Sequence, residues 1–142
     1  MSAGTGRDAG TPREDDNFAH LDEVGRATMA EVMSMPPEAI VNDPGSIGDL
    51  ATKVIFGDLW NRSGLSRRER RIITITVLAM LGRDQVHGPL HVQAALDSGD
   101  LTADDLREVA VQMAYYAGWP LATSLSWLVD SAEQKAQAKE ER

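Results

Sequence analysis

The sequence predicts an all-α domain of five to six helices joined by short loops. Three observations predict it. Apolar residues recur at helical spacing in several segments, Ser or Thr caps stand at their starts, and Gly or Pro stands at their ends. No segment offers a convincing strand alternation. A chain of 142 residues, 42% of them hydrophobic, is long enough for one domain with a true core.

Residues 1–16 combine Gly, Ser, Thr, Asp and Pro with almost nothing to bury, and read as a disordered arm. The domain is expected over 17–134. Its first helical segment covers about 18–35, where Leu21, Val24, Met29, Val32 and Met33 roughly follow helical spacing and Pro36-Pro37 ends the run. Pro44-Gly45 marks a turn. Ser46 can then cap a helix that runs to about Trp60.

"SRRE" at 66–69 is a capping-box pattern that opens a third helix. The run "IITITV" at 72–77 is β-branched, which by propensity alone favours a strand. The capping box, the length of the segment and the terminal Gly82 favour a helix instead. Apolar groups lie nearly all round its second half, so it is expected to be buried on most sides, in part at a subunit interface. "SRRERR" itself is a basic cluster suited to salt bridges across such an interface, or to anchoring an anion.

Gly88 and Pro89 divide the histidines of "QVHGPLHVQAAL". Proline fits the first turn of a helix and is costly inside one. The helix is therefore expected to begin near Gly88, with His87 at or before its cap and His91 within its first turns. The clearest stripe follows: Leu106, Val109, Ala110, Met113 and Ala117, behind Thr102 as N-cap and Asp104 and Asp105 in the first turn. Gly118 ends that helix and Pro120 starts the next, whose stripe is Leu121, Leu125, Leu128 and Ala132. Residues 135–142 lack an apolar stripe and are expected to fray.

Fourteen Lys and Arg against 22 Asp and Glu give a formal charge of −8. Such a balance argues against nucleic acid and anionic membranes as partners. With no cysteine, disulfides, thiolate metal sites and thiol redox catalysis are excluded. No apolar run approaches the about 20 residues of a membrane span, and the polar opening has no secretory apolar stretch, so a cytoplasmic protein is expected. The histidines lack the convergent ligands of a transition-metal site, and no metal is expected.

Several elements then fall into one order: "FGDLW", "GLSRRER", an apolar helix ending in "LGR", a histidine followed by a small-residue helix, and "YYAGWPLA". In this order they resemble the carboxymuconolactone decarboxylase family, within the broader AhpD-like superfamily, over roughly residues 50–130. The resemblance implies an all-α fold whose protomers interlock as a homo-oligomer, a trimer or hexamer. It implies a lyase that removes a carboxylate as CO₂ from a small lactone without a cofactor, and it places the family histidine at His91. A thiol peroxidase is not expected, since that chemistry needs a cysteine pair. Where the family usually carries an arginine two residues after its histidine, this chain has Gln93, which can hydrogen-bond but cannot neutralise a carboxylate. The expected substrate is accordingly less anionic and more aromatic than the family's namesake.

The candidate catalytic residues are therefore His91, His87 and Tyr116, with Gln93, Trp119, Tyr115 and Glu69 around the substrate. Histidine suits general acid/base work because its ordinary pKa lies near neutrality. One of the two tyrosines is expected to pack in the core. Glu69 is expected to complete the capping box, with a proton relay to His91 as its alternative role. The reaction expected is decarboxylation, ring opening or cyclisation of a small lactone or carbonyl compound. The alternatives are a non-catalytic homo-oligomeric ligand-binding protein on the same scaffold and, more weakly, a metal-dependent enzyme.

Overall fold

The computed structural model describes residues 16–82 and 85–142, so the arm expected over 1–16 lies outside the described residues except for Asp16. Six α-helices and several tighter or wider helical turns make up the described chain, and no strand occurs among the described residues. The chain divides into two compact units, where a single domain over 17–134 is expected from the sequence. One comprises the described residues up to Ala30 with Met35–Arg62, the other Glu31–Ser34 with Ser63–Arg142.

In the first unit, a 3₁₀ turn Ala19–Leu21 leads into α1 (Asp22–Val32). After Pro36 the chain makes the 3₁₀ turn Pro37–Ala39, where the sequence predicts a stop. Ser46 caps α2 (Ile47–Ala51), its hydroxyl accepting the Asp49 N–H at 3.2 Å. The single helix expected from there to Trp60 changes pitch instead. Thr52–Asp58 is π-helical and Leu59–Asn61 is 3₁₀. The widened turn coincides with a backbone contact made by two glycines. A Cβ on Gly25 would lie 2.2 Å from the Thr52 carbonyl oxygen, and one on Gly57 would lie 2.9 Å from Leu21. Trp60 is buried there and stacks on Phe56 with ring centroids 6.4 Å apart.

Lys53 is a buried cation within this unit. Its ammonium donates to Asp49 at 2.9 Å and to Asp16. Burial pushes the Asp49 carboxyl up, but the hydrogen bonds from Lys53 and from the Gly45 N–H outweigh it and hold the carboxyl below its ordinary range. Burial likewise disfavours the charged Lys53, and hydrogen bonds to Asp16 and Asp49 reverse that, so its pKa is raised.

The second unit holds the four longer packed helices. The Ser66 hydroxyl accepts the Glu69 N–H at 3.2 Å while Glu69 accepts the Ser66 N–H at 2.7 Å, the expected capping box. This box opens α3 (Arg67–Leu81), which closes on Gly82 at φ +66°. The β-branched run is thus helical. α4 (His87–Ser98) ends at Gly99, α5 (Ala103–Ala117) opens on a Thr102–Asp105 box, and α6 (Trp119–Glu140) follows Gly118 directly. α6 continues through Glu140, past the point where the sequence suggests fraying. Ile75, Val92, Leu106, Leu125 and Val129 form the center of one core shared by all four helices. Arg107 on α5 braces α6 through Asp130 (3.0 Å) and Glu133 (2.6 Å).

α3 is not buried on most sides within the chain. Ile73 and Val77 are each 50% exposed and Leu81 is 65% exposed, one stripe at four-residue spacing. The basic cluster at its start pairs within the chain. Arg67 meets Glu31 at 3.3 Å, Arg68 meets Asp105 at 2.9 Å, and the fully buried Arg71 meets Asp100 at 2.8 Å. These three arginines therefore stitch the second unit together, and the interface salt bridges expected of them are not needed to explain the cluster.

Two predictions follow from the first unit. Gly25→Ala should lower stability by about 1–3 kcal/mol, as overpacking does, despite the helix-propensity gain. A urea midpoint that rose by the equivalent of a favourable Gly-to-Ala exchange would contradict the close backbone contact. Because the Asp49 pKa is lower folded than unfolded, its contribution to stability is present above the ordinary carboxylate range and lost as pH falls through that range. Asp49→Asn should therefore lose less stability than wild type between about pH 5 and pH 3 in denaturant titrations.

Candidate functional site

α4 carries the two histidines and Gln93, and its first turn decides their settings. The helix starts at His87, one residue before the expected position, with Val86 and not His87 as N-cap. Gly88 and Pro89 occupy the first turn, where proline's missing N–H costs nothing. The two histidines thus do share a helix at four-residue spacing, but their surroundings differ. His87 is exposed, whereas His91 is 8% exposed and followed by buried Ala94 and Ala95. Small residues on that face let the helix approach its surroundings closely. On the same face the Ala94 carbonyl accepts the Ser34 hydroxyl at 3.4 Å.

Gln93 lies about 200° around the helix from His91, and the structure does not bring the two together. Its side chain donates to Asp97 at 3.0 Å and helps line a groove of about 430 Å³ between α4 and α6. A second, more enclosed cavity of about 140 Å³ lies between α3, α4 and α6. Its wall is mainly apolar, with Ile75, Val92 and Leu125 from the core and the side chains of Gln85 and Ser124 as polar groups. Pro89 and Leu128 belong to the walls of both spaces.

The aromatic candidates sit elsewhere in the unit. Tyr115 and Tyr116 are 80% and 85% exposed, so neither packs in the core as expected for one of them. Both fall on the solvent side of α5 because Leu106, Ala110 and Met113 take its buried stripe. The Tyr115 ring meets that of Trp119 with centroids 6.4 Å apart, and Trp119 is itself exposed. Tyr116 lines a third, apolar groove of about 210 Å³ between α3 and α5, beside Thr76 and Met80. Glu69 is exposed and held by its capping box. The Ser66 N–H, then the Ser66 hydroxyl, keep its carboxyl below the ordinary glutamate range. This engagement is the capping-box role that the sequence predicts for it.

Within the second unit, the buried polar or charged residues among those described are Arg71 and His91. The Arg71 guanidinium is committed to Asp100 and, at 3.3 Å, to Ser98. Sequence reasoning missed the cationic side of the α4–α6 groove, formed by Lys135, Lys139 and Arg142. The signal was present as i, i+4, i+7 spacing that continues the stripe of Leu128 and Ala132. Among the described residues, no three His, Cys, Asp or Glu side chains gather as a metal site would require, and no helix is long and apolar enough to cross a membrane.

Comparison with known proteins places these elements in a family. The chain is 35% identical over 74 residues to the 4-carboxymuconolactone decarboxylase of Acinetobacter baylyi, covering 51% of this chain and 53% of that protein. It is 30% identical over 73 residues to the nitrosuccinic acid decarboxylase of Metarhizium robertsii, covering 51% of this chain and 49% of that protein. The chain thus spans about half the length of the curated relatives it matches. Residues 47–130, more than half of the chain and inclusive of α3, α4, α5 and the first half of α6, match the carboxymuconolactone decarboxylase family, and the chain belongs to that family.

Proposed function

We propose that this protein is a cofactor-independent lyase that releases CO₂ from a small organic acid bearing a lactone or other carbonyl group, with His91 as its acid/base. The observation that carries the reading is the buried histidine at the center of the family-matched segment. A buried ionisable side chain is the informative exception in a packed core, and Arg71, the other one in this unit, has a structural task. The two relatives, both decarboxylases by name, support the reaction class.

The chemistry asks for little beyond this. When the bond between the carboxylate carbon and its neighbour breaks, the electron pair stays on the neighbouring carbon. A conjugated carbonyl of the substrate takes it up as an enolate. A proton must then reach that carbon, and histidine is suited to deliver it near neutral pH. His87, exposed one helical turn earlier on α4, would assist at the mouth of the site. Gln93, Tyr115, Tyr116 and Trp119 lie on other surfaces of the unit, so a substrate role for any of them requires a neighbouring protomer. The uncovered stripe of Ile73, Val77 and Leu81 supports such an assembly, and we take the trimer or hexamer as its form.

Incubation with 4-carboxymuconolactone should release CO₂. His91→Gln, which keeps a polar side chain in the buried position, should lower turnover by about 10²-fold or more while retaining the helical circular dichroism of the wild type. Wild-type turnover in that variant would remove His91 from the mechanism. Sedimentation at micromolar concentration should show a homo-oligomer that Val77→Glu dissociates. A wild-type chain that sediments as a monomer would refute the assembly.

A further inference from the structure

The groove between α4 and α6 has a polarity that neither the family nor the decarboxylase reading assigns. Along α6, Leu128 and Ala132 are followed by Lys135 and Lys139, at spacings that keep all four on one side of the helix, and Arg142, just beyond its end, also lines the groove. The groove therefore runs from an apolar end to a cationic end. Carboxylates outnumber cations 22 to 14 in the sequence, yet the lining itself includes no Asp or Glu, and Asp97 reaches it only through Gln93 and Lys139. Helix-end lysines alone would complement the dipole of α6. That effect does not account for their alignment with an apolar stripe along a cavity of about 430 Å³, a volume within the range of small-molecule sites.

Two further details shape the space. Asp97 accepts from Gln93 at 3.0 Å and from Lys139 at 3.1 Å, so one carboxylate behind the groove orients a donor from each helix. At the other end, Pro89 and Leu128 separate the groove from the enclosed apolar cavity of about 140 Å³.

We infer that this groove binds an amphipathic carboxylate, its apolar body along Leu90, Leu128 and Ala132 and its carboxylate among Lys135, Lys139 and Arg142. Binding here does not depend on decarboxylation, and its measurement involves no turnover, so it stands or falls separately from the role of His91.

Octanoate is the probe, titrated calorimetrically into the full chain at low salt, with octan-1-ol as its uncharged counterpart. The expected result is saturable binding of one octanoate per chain, about tenfold or more tighter than octan-1-ol and weakened as salt screens the cations. The double variant Lys135→Gln, Lys139→Gln should weaken octanoate by a similar factor and leave octan-1-ol unchanged. Leu128→Trp, which fills the apolar end without touching a charge, should weaken both. Absence of saturable octanoate binding, equal affinity for octan-1-ol, or undiminished octanoate binding in the lysine double variant would each overturn the proposal.

Discussion

The second unit depends on a buried arginine. Arg71 has no exposed surface, and its guanidinium reaches from α3 to Asp100 at 2.8 Å and to Ser98 at 3.3 Å. Both acceptors belong to the turn that ends α4 and precedes α5. Burying a guanidinium is costly unless it is paired and hydrogen-bonded, and removing one partner of a buried pair costs about 3–5 kcal/mol. Asp100 keeps partial access to solvent, which moderates that figure. The consequence is geometric. With its C-terminal end fixed to α3, and with Gly99 and Leu101 returning their N–H groups to Leu96 and Ala95, α4 has little freedom to rotate. Rotation of α4 would carry His91 out of its buried setting and Gln93 out of the groove.

Much of this architecture was legible because its determinants are local. Ser66 with Glu69 and Thr102 with Asp105 close capping boxes within four residues, and Gly82 ends α3 with a left-handed turn that glycine adopts at little cost. These signals correctly outweighed the strand propensity of the β-branched run. The stripe of Leu106, Ala110 and Met113 likewise faces the core as read. The π-helical turn at Thr52–Asp58 was not legible. It coincides with the backbone approach of Gly25 to Thr52, a contact between residues distant in sequence that no window of periodicity can reveal.

The candidate site was less legible than the fold, for a related reason. Residues two apart on a helix point to nearly opposite sides. His91 and Gln93 accordingly serve different surfaces. Tyr115 and Tyr116 are adjacent in sequence, and both escape the core because the helix already has its buried stripe in Leu106, Ala110 and Met113. Uncapped polar sequence after residue 134 read as fraying, but Lys139 returns to Asp97 at 3.1 Å and Arg107 holds the preceding turns through Glu133. Charge pairs spanning 26 to 42 residues are invisible to a reading that moves along the chain.

These placements bear on how a family scaffold changes its substrates. His91, in a packed face, is constrained by its neighbours, since Ala94 and Ala95 leave little room for larger side chains beside it. Anion recognition is under no such constraint. A cation can be supplied from any element that borders the same space, and long lysine and arginine side chains span several ångströms from their helix. Position 93 on α4 is neutral, Lys135 and Lys139 stand opposite on α6 with Arg142 just beyond its end, and Asp97 couples the two sides through Gln93 and Lys139. Moving the charge to the end of a stripe that begins with Leu128 also separates it from the apolar wall. With an amphipathic carboxylate bound as proposed, the arrangement would select for ligand length and amphipathicity, properties that a single cation on α4 would not read.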